Sequence, residues 1–361
     1  MSRFEVAFCV LVLCGASAQV QAQTAPASKV ANPIENDGTV KVPPFRLPPS
    51  VYASPAANAA LPRSPEDFGP MLERLVKSGS IAQIRASMRT RAETEVSGLA
   101  SAYRVHVEAG EVGGVHGYWA RPDQPAKGKA ARILINLPGG AFIMGDAAST
   151  GMKESIPVAG LTGIPVFSVD YRQAPEAKFP AASEDVAAIY RAVLAEYKAP
   201  SIGIFGCSAG GLLTAQALAW FQKEKLPTPG AAGIFCASAD ARWGGDSWSW
   251  QMPIQGIDRE PSLDERFYYG GHDLSDPLMS PIMSDEVLSH FPPTLIITAT
   301  RAGELSSAVN THRVLIRNGV AASLHAWDGL GHAFFLNPEL PESKEAFRVM
   351  ADFFTAHLKG R

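Results

Sequence analysis

The sequence predicts an α/β fold, with a central, mostly parallel sheet flanked by helices. Two observations carry this. After Gly98, short apolar runs bounded by turn residues alternate with helical stretches, the order expected of βα units feeding a parallel sheet. The runs are continuously apolar rather than alternating, as strands covered on both faces require. A helical segment precedes the first strand and is a candidate N-terminal cap.

The elements follow in order. Arg3, an apolar run over 6–13, and the small-residue sites Ala16-Ser17-Ala18 and Val20-Gln21-Ala22 have the layout of a secretory signal peptide. Residues 1–22 are therefore expected to be removed on export to the periplasm or beyond, with cleavage near Ala18 or Ala22. The apolar run is too short for a stable membrane anchor. Residues 23–62, rich in Ala, Pro, Asn and Ser without hydrophobic period, read as a flexible arm. The rest, 63–361, reads as one domain. Ser64-Pro65-Glu66-Asp67 has the form of a helix start, and apolar residues keep helical spacing through Met88, placing cap helices at 63–97. A hairpin is expected from 103–107 and 114–120. Strands are expected at 133–137, 166–169, 202–205, 233–236, 295–299 and 323–327, and helices at 181–194, 212–223, 307–317 and 343–358. An insertion over 241–290 carries Trp243, Trp248, Trp250, Phe267, Tyr268 and Tyr269. These aromatics suit a substrate pocket or ordinary core equally.

A net charge of −3 gives no electrostatic reason to expect nucleic acid or an anionic membrane as partner. No His/Cys/Asp cluster has metal-ligand spacing, so no metal is expected. Beyond the leader only Cys207 and Cys236 remain. They could pair in an oxidising compartment or lie buried as small apolar thiols, and sequence leaves both open.

Chemistry is concentrated in three segments. Gly206-Cys207-Ser208-Ala209-Gly210 lies between an expected strand and an apolar helix, the context of a nucleophile elbow. A strand turning sharply into a helix strains the serine backbone and projects its hydroxyl above the sheet, at the positive end of the helix dipole. A glycine-rich turn with a capping serine would use the same residue types. Pro138-Gly139-Gly140-Ala141 follows the strand at 133–137. Its glycine pair can free N–H groups which, with that of Ala209, would form an oxyanion hole. Asp328-Gly329-Leu330-Gly331-His332 follows the last strand, where a loop histidine can reach across to Ser208.

On these segments, and on Asp170-Tyr171-Arg172-Gln173-Ala174-Pro175-Glu176 with Phe179-Pro180-Ala181-Ala182 after it, the chain resembles the bacterial hormone-sensitive-lipase-like esterases of the α/β-hydrolase superfamily. The resemblance spans roughly residues 64–358. It implies the α/β-hydrolase fold with an N-terminal cap and a serine carboxylesterase acting on short-acyl esters, or on lactones, without a cofactor. Its partner would be a small-molecule ester. It also implies Ser208 as nucleophile, His332 as base, and Gly139, Gly140 and Ala209 as oxyanion donors.

Two positions depart from the family pattern. Pro138 replaces a histidine that orders the oxyanion loop. Ala302 stands where the family carries its catalytic aspartate. Glu304, two residues on, is the expected substitute acid, although a glutamate at a helix start also suits the helix dipole without any catalytic role. Asp328 is a weaker substitute, and Asp276 reads as structural. The lost aspartate also motivates an alternative, a catalytically impaired hydrolase fold that binds a ligand.

Overall fold

The computed structural model describes residues 34–42, 44–61, 81–125, 132–254 and 268–360. The expected leader (1–22), the arm as far as residue 33, the cap residues 63–80 and the stretch 255–267 of the insertion lie outside the described residues. The chain divides after Pro48 into a short N-terminal unit and a main body. In the N-terminal unit, Ile34 and Val40 form an antiparallel bridge across a turn.

The main body opens with helix α1 (Pro55–Ala59), capped by the Ser54 hydroxyl, and α2 (Ile81–Tyr103). Strands β1 (Val105–Val112) and β2 (Val115–Pro122) form the expected hairpin, turning at Gly113-Gly114. Then come β3 (Ile133–Leu137), α3 (Met152–Thr162), β4 (Val166–Val169), α4 (Ala181–Leu194), β5 (Ile202–Cys207), α5 (Ala209–Lys223) and β6 (Ala231–Phe235). Helices α6 (Asp246–Ile254) and α7 (Asp285–Ser289) lie within the insertion. Strand β7 (Thr294–Ala299), α8 (Leu305–Arg317), β8 (Ala322–Trp327) and α9 (Pro341–His357) complete the fold.

The eight strands form one sheet in the order β1-β2-β4-β3-β5-β6-β7-β8. Strand β2 runs antiparallel to both β1 and β4, and every other pairing is parallel. The central strands β3 to β7 are buried along their whole length, whereas edge strand β8 mixes exposed and half-buried positions. That difference is what a sheet covered on both faces and open at its rim must show. Two apolar layers cover it. On one face α4 and α5 stack Tyr190 on Phe221 at 4.2 Å. On the other, α9 turns Ala346, Phe347, Met350, Ala351 and Phe354 inward at helical spacing, and Phe354 meets Phe205 at 5.5 Å.

Helix α3 has no counterpart among the expected elements. Pro157 lies inside it, and it is buried on nearly every side. A proline removes a helical hydrogen bond, and full burial erases the amphipathic period by which a helix is recognised. Helix α1 lies within the stretch expected as a flexible arm, α6 and α7 were not expected either, and Tyr103, expected in a strand, ends α2, so that β1 runs over Val105–Val112. The expected strands and helices from 133 onward match within a few residues at each end, and α5 starts at Ala209 rather than 212.

Leu134 is fully buried in the central strand β3. Leu134→Ala should lower stability by about 2–5 kcal/mol, measured by urea denaturation followed by circular dichroism.

Candidate active site

The site lies at the C-terminal ends of the parallel strands, where an open α/β sheet places its ligands. Strand β5 runs into α5 with Ser208 as the only residue between them. Ser208 has φ 59° and ψ −123°, a strained conformation for a residue with a side chain. Its N–H is held by Phe235 O at 2.8 Å. The turn is tight because the end of β3 presses against it. A Cβ on Gly206 would stand 2.2 Å from Leu137 O, and one on Gly210 only 1.7 Å from it. Only glycine fits at either position.

His332 comes from the loop after β8. Its Nε2 lies 2.9 Å from Ser208 Oγ. The loop is fixed from several directions. Arg301 N–H donates to Leu330 O, Gly329 N–H donates to Thr300 Oγ1, and Ala333, with φ 54°, donates its N–H to Cys236 Sγ at 3.3 Å. Leu330 anchors the loop in the core.

Glu304 Oε2 lies 3.0 Å from His332 Nδ1. Its carboxylate is buried, and Oε1 accepts weakly from Thr298 Oγ1 at 3.4 Å. The backbone explains why the acid stands here and not at 302. Ala302 closes a turn directly after β7, its methyl buried, and Glu304 stands just before α8 two residues later, its side chain free of the helix end. Helix α6 braces this loop: Ser247 Oγ donates to Gly303 O at 2.6 Å, accepts from Ser306 N–H at 2.8 Å, and Trp248 packs against Gly303. The structure brings Ser208, His332 and Glu304 into one hydrogen-bonded row. Asp328 is engaged elsewhere, accepting from the hydroxyls of Thr300 and Ser50, and the Asp276 carboxylate accepts from Leu278 N–H in an exposed turn.

Burial disfavours a charged imidazole at His332, but the charge of Glu304 and its hydrogen bond outweigh it and raise the pKa from 6.5 to about 9. Cys207 and Cys236 are both free and buried. Burial and the neighbouring Cys236 push the Cys207 thiol up, so it remains a thiol.

The oxyanion loop requires one correction. Gly139 was expected to offer its N–H to substrate, but that N–H donates inward to Glu154 Oε1 at 3.3 Å. The next two residues are placed differently. Gly140 and Ala141 have φ of 137° and 55°, are half-buried, and their N–H groups meet no protein acceptor among the described residues. Ala209, first in α5, has an N–H with no partner in its own helix. Around the loop, Phe142 stacks on Tyr268 at 4.5 Å, and the Tyr268 hydroxyl accepts from Ala182 N–H. Tyr268 is thus core. Arg85 and Arg89 on α2 tie the cap to the same loop, through Ile143 O at 2.7 Å and Asp146 at 2.5 Å. Sequence reasoning passed over both arginines and Glu154, because their partners lie far off in the chain.

Residues 134–336 match the family described as alpha/beta hydrolase fold. An acetyl-hydrolase of Streptomyces hygroscopicus is 30% identical over 245 residues, 65% of this chain and 78% of that protein. The crystal structure of an esterase superposes with a TM-score of 0.76 at 30% identity, covering 89% of this chain and 99% of that one. A crystallised esterase from the bacterial hormone-sensitive lipase family gives 0.64 at 26% identity, covering 78% and 99%. The chain belongs to the α/β-hydrolase superfamily, among its bacterial hormone-sensitive-lipase-like esterases. It is a carboxylic ester hydrolase.

The imidazole of His332 should titrate near pH 9 by NMR, and Glu304→Gln should bring that midpoint down by removing the charge that raises it.

Proposed function

We propose that the protein hydrolyses short-acyl carboxylic esters through a covalent acyl-serine intermediate. The observation that carries this is the unbroken row from Ser208 Oγ through His332 to the buried Glu304 carboxylate, at 2.9 and 3.0 Å. Ser208 Oγ attacks the ester carbonyl carbon while its proton passes to His332 Nε2. The N–H groups of Gly140, Ala141 and Ala209 hold the negative oxygen that develops. The tetrahedral species collapses, the C–O bond to the alcohol breaks, and His332 returns the proton to the departing oxygen. Water then attacks the acyl-serine with His332 again as base, releasing the acid. Glu304 fixes the imidazole tautomer and stabilises the imidazolium at each stage.

The short-acyl preference is supported by the acetyl-hydrolase among the relatives. Lactones, as cyclic esters, fit the same chemistry. A carboxylate 3.0 Å from His332 supports this reading over an impaired site, which Ala302 alone would suggest. Export to the periplasm or beyond belongs to the same proposal and rests on the leader pattern of residues 1–22.

Purified protein should hydrolyse p-nitrophenyl acetate and butyrate faster than long-chain esters, and Ser208→Ala should lose at least about 10³-fold in kcat. A Ser208→Ala variant retaining wild-type turnover would end the serine mechanism. The base must be neutral to accept a proton, so kcat/KM should climb with pH through the His332 midpoint near 9. Glu304→Gln should move that limb to lower pH and cut the plateau by about 10²–10⁴-fold. An unchanged plateau would remove Glu304 from the mechanism.

A further inference from the structure

Behind the loop that carries Gly140 and Ala141 lies a carboxyl group that the proposed reaction does not use. Glu154, in the first turn of α3, is 1% exposed. Its Oε2 accepts from Asn136 Nδ2 at 2.8 Å, and its Oε1 accepts from Gly139 N–H at 3.3 Å. The Asn136 side-chain oxygen accepts in turn from Ser168 Oγ at 2.7 Å. Asn136, Glu154 and Ser168 are all buried. A carboxyl group in such a place is costly unless its hydrogen bonds are satisfied, and an apolar side chain would avoid the cost altogether. Packing alone therefore gives no reason for a glutamate.

The bonding pattern supplies one. The N–H of Gly139 and the carbonyl of Pro138 belong to the same peptide group. The Tyr171 hydroxyl donates to Pro138 O at 2.7 Å. One peptide plane is thus gripped at both poles, by Tyr171 at its oxygen and by Glu154 at its nitrogen. Pro138 brings neither an N–H nor a polar side chain to the loop, so these bonds must come from outside it. The following peptide groups, which carry the N–H groups of Gly140 and Ala141, continue from this fixed plane.

Resting on the serine mechanism proposed above, we infer that Glu154 is a positioning residue. Its carboxyl oxygen, acting with Tyr171, locks the Pro138–Gly139 peptide so that Gly140 and Ala141 present their N–H groups to the substrate oxygen. The role calls for an acceptor atom and not for a charge. Burial pushes the Glu154 carboxyl up to about 8, against the lowering by Asn136 and by the backbone of Gly139 and Cys207. An oxygen accepts from the Gly139 N–H, and burial works against a full negative charge beneath the developing oxyanion.

The test compares Glu154→Leu, which removes the acceptor, with Glu154→Gln, which keeps one. It uses the full chain, p-nitrophenyl butyrate as substrate and a short alkyl trifluoromethyl ketone as inhibitor. The ketone adds to Ser208 and places a tetrahedral alkoxide on the same N–H groups, so its Ki reports their alignment independently of how much enzyme is active. Glu154→Leu should lower kcat/KM by about 10–100-fold and raise Ki by the same factor. KM should stay within about threefold. Glu154→Gln should recover most of both losses, with Asn136 turning its amide to receive the new NH₂. Wild-type Ki in Glu154→Leu, or an equal loss in the leucine and glutamine variants, would overturn the inference. If the leucine variant does not fold, Tyr171→Phe frees the other pole of the same peptide. It should raise Ki at steady KM, and an unchanged Ki would overturn the clamp. Ser208→Ala separates the two readings. If it turns over like wild type, the serine mechanism fails. If it is inactive while Ki is unmoved in Glu154→Leu, only the assignment of Glu154 fails.

Discussion

The site depends on how closely the end of β3 approaches the turn between β5 and α5. The carbonyl of Leu137 lies where side chains at 206 and 210 would otherwise stand. This contact does two things at once. It forces Ser208 into a positive-φ turn at the head of α5, so the hydroxyl leaves the sheet. It also carries the chain from β3 directly over that hydroxyl, so the loop at 138–141 has to pass beside it. Gly139 shows how little room remains, since a Cβ there would stand 2.8 Å from Cys207 O. The Ser208 turn and the loop at 138–141 are therefore set by a single backbone contact between neighbouring parallel strands, paired in register from Ile133 with Ile202 to Leu137 with Gly206.

The other half of the site is set by loops. Strands β7 and β8 pair in parallel up to Ala299 and Trp327, and the loops after them stay joined through Thr300 and Arg301. Glu304 and His332 ride on this joined pair, with α6 of the insertion bracing one side. Rigid support is needed because the imidazole must meet a hydroxyl on one nitrogen and a carboxylate on the other. Here the insertion acts through the Ser247 hydroxyl and the Trp248 ring, and its Tyr268 belongs to the core beneath Phe142.

Much of this was legible in the sequence where local pattern fixes structure. Strands at 133–137 and 166–169 are the predicted ones because a parallel strand buried on both faces is a short, unbroken apolar run. The segments bearing Ser208 and His332 were legible because tight turns after strands demand glycines at set positions. Glu304 could be named from its distance to Ala302, since a longer side chain can offset a displaced backbone. Helix α3 was not legible, because Pro157 and burial on nearly every side hide its period. The direction of the Gly139 N–H was not legible either. A glycine pair shows that backbone is free to approach a ligand, but which N–H turns outward depends on a glutamate fifteen residues on.

The two buried glutamates near Ser208 show how surroundings divide one residue type between tasks. Glu304 faces an imidazole that can become a cation, and it raises that group's pKa well above its ordinary value. In the proposed reaction charge is its contribution, because His332 would take up and return a proton in each half of acyl transfer. Glu154 faces only neutral donors, an amide side chain and backbone N–H groups, and burial shifts it toward the protonated acid. In the proposed reaction the separation of their partners places the ion pair on the histidine side of the serine and leaves the oxyanion to N–H dipoles, the arrangement that acyl transfer requires.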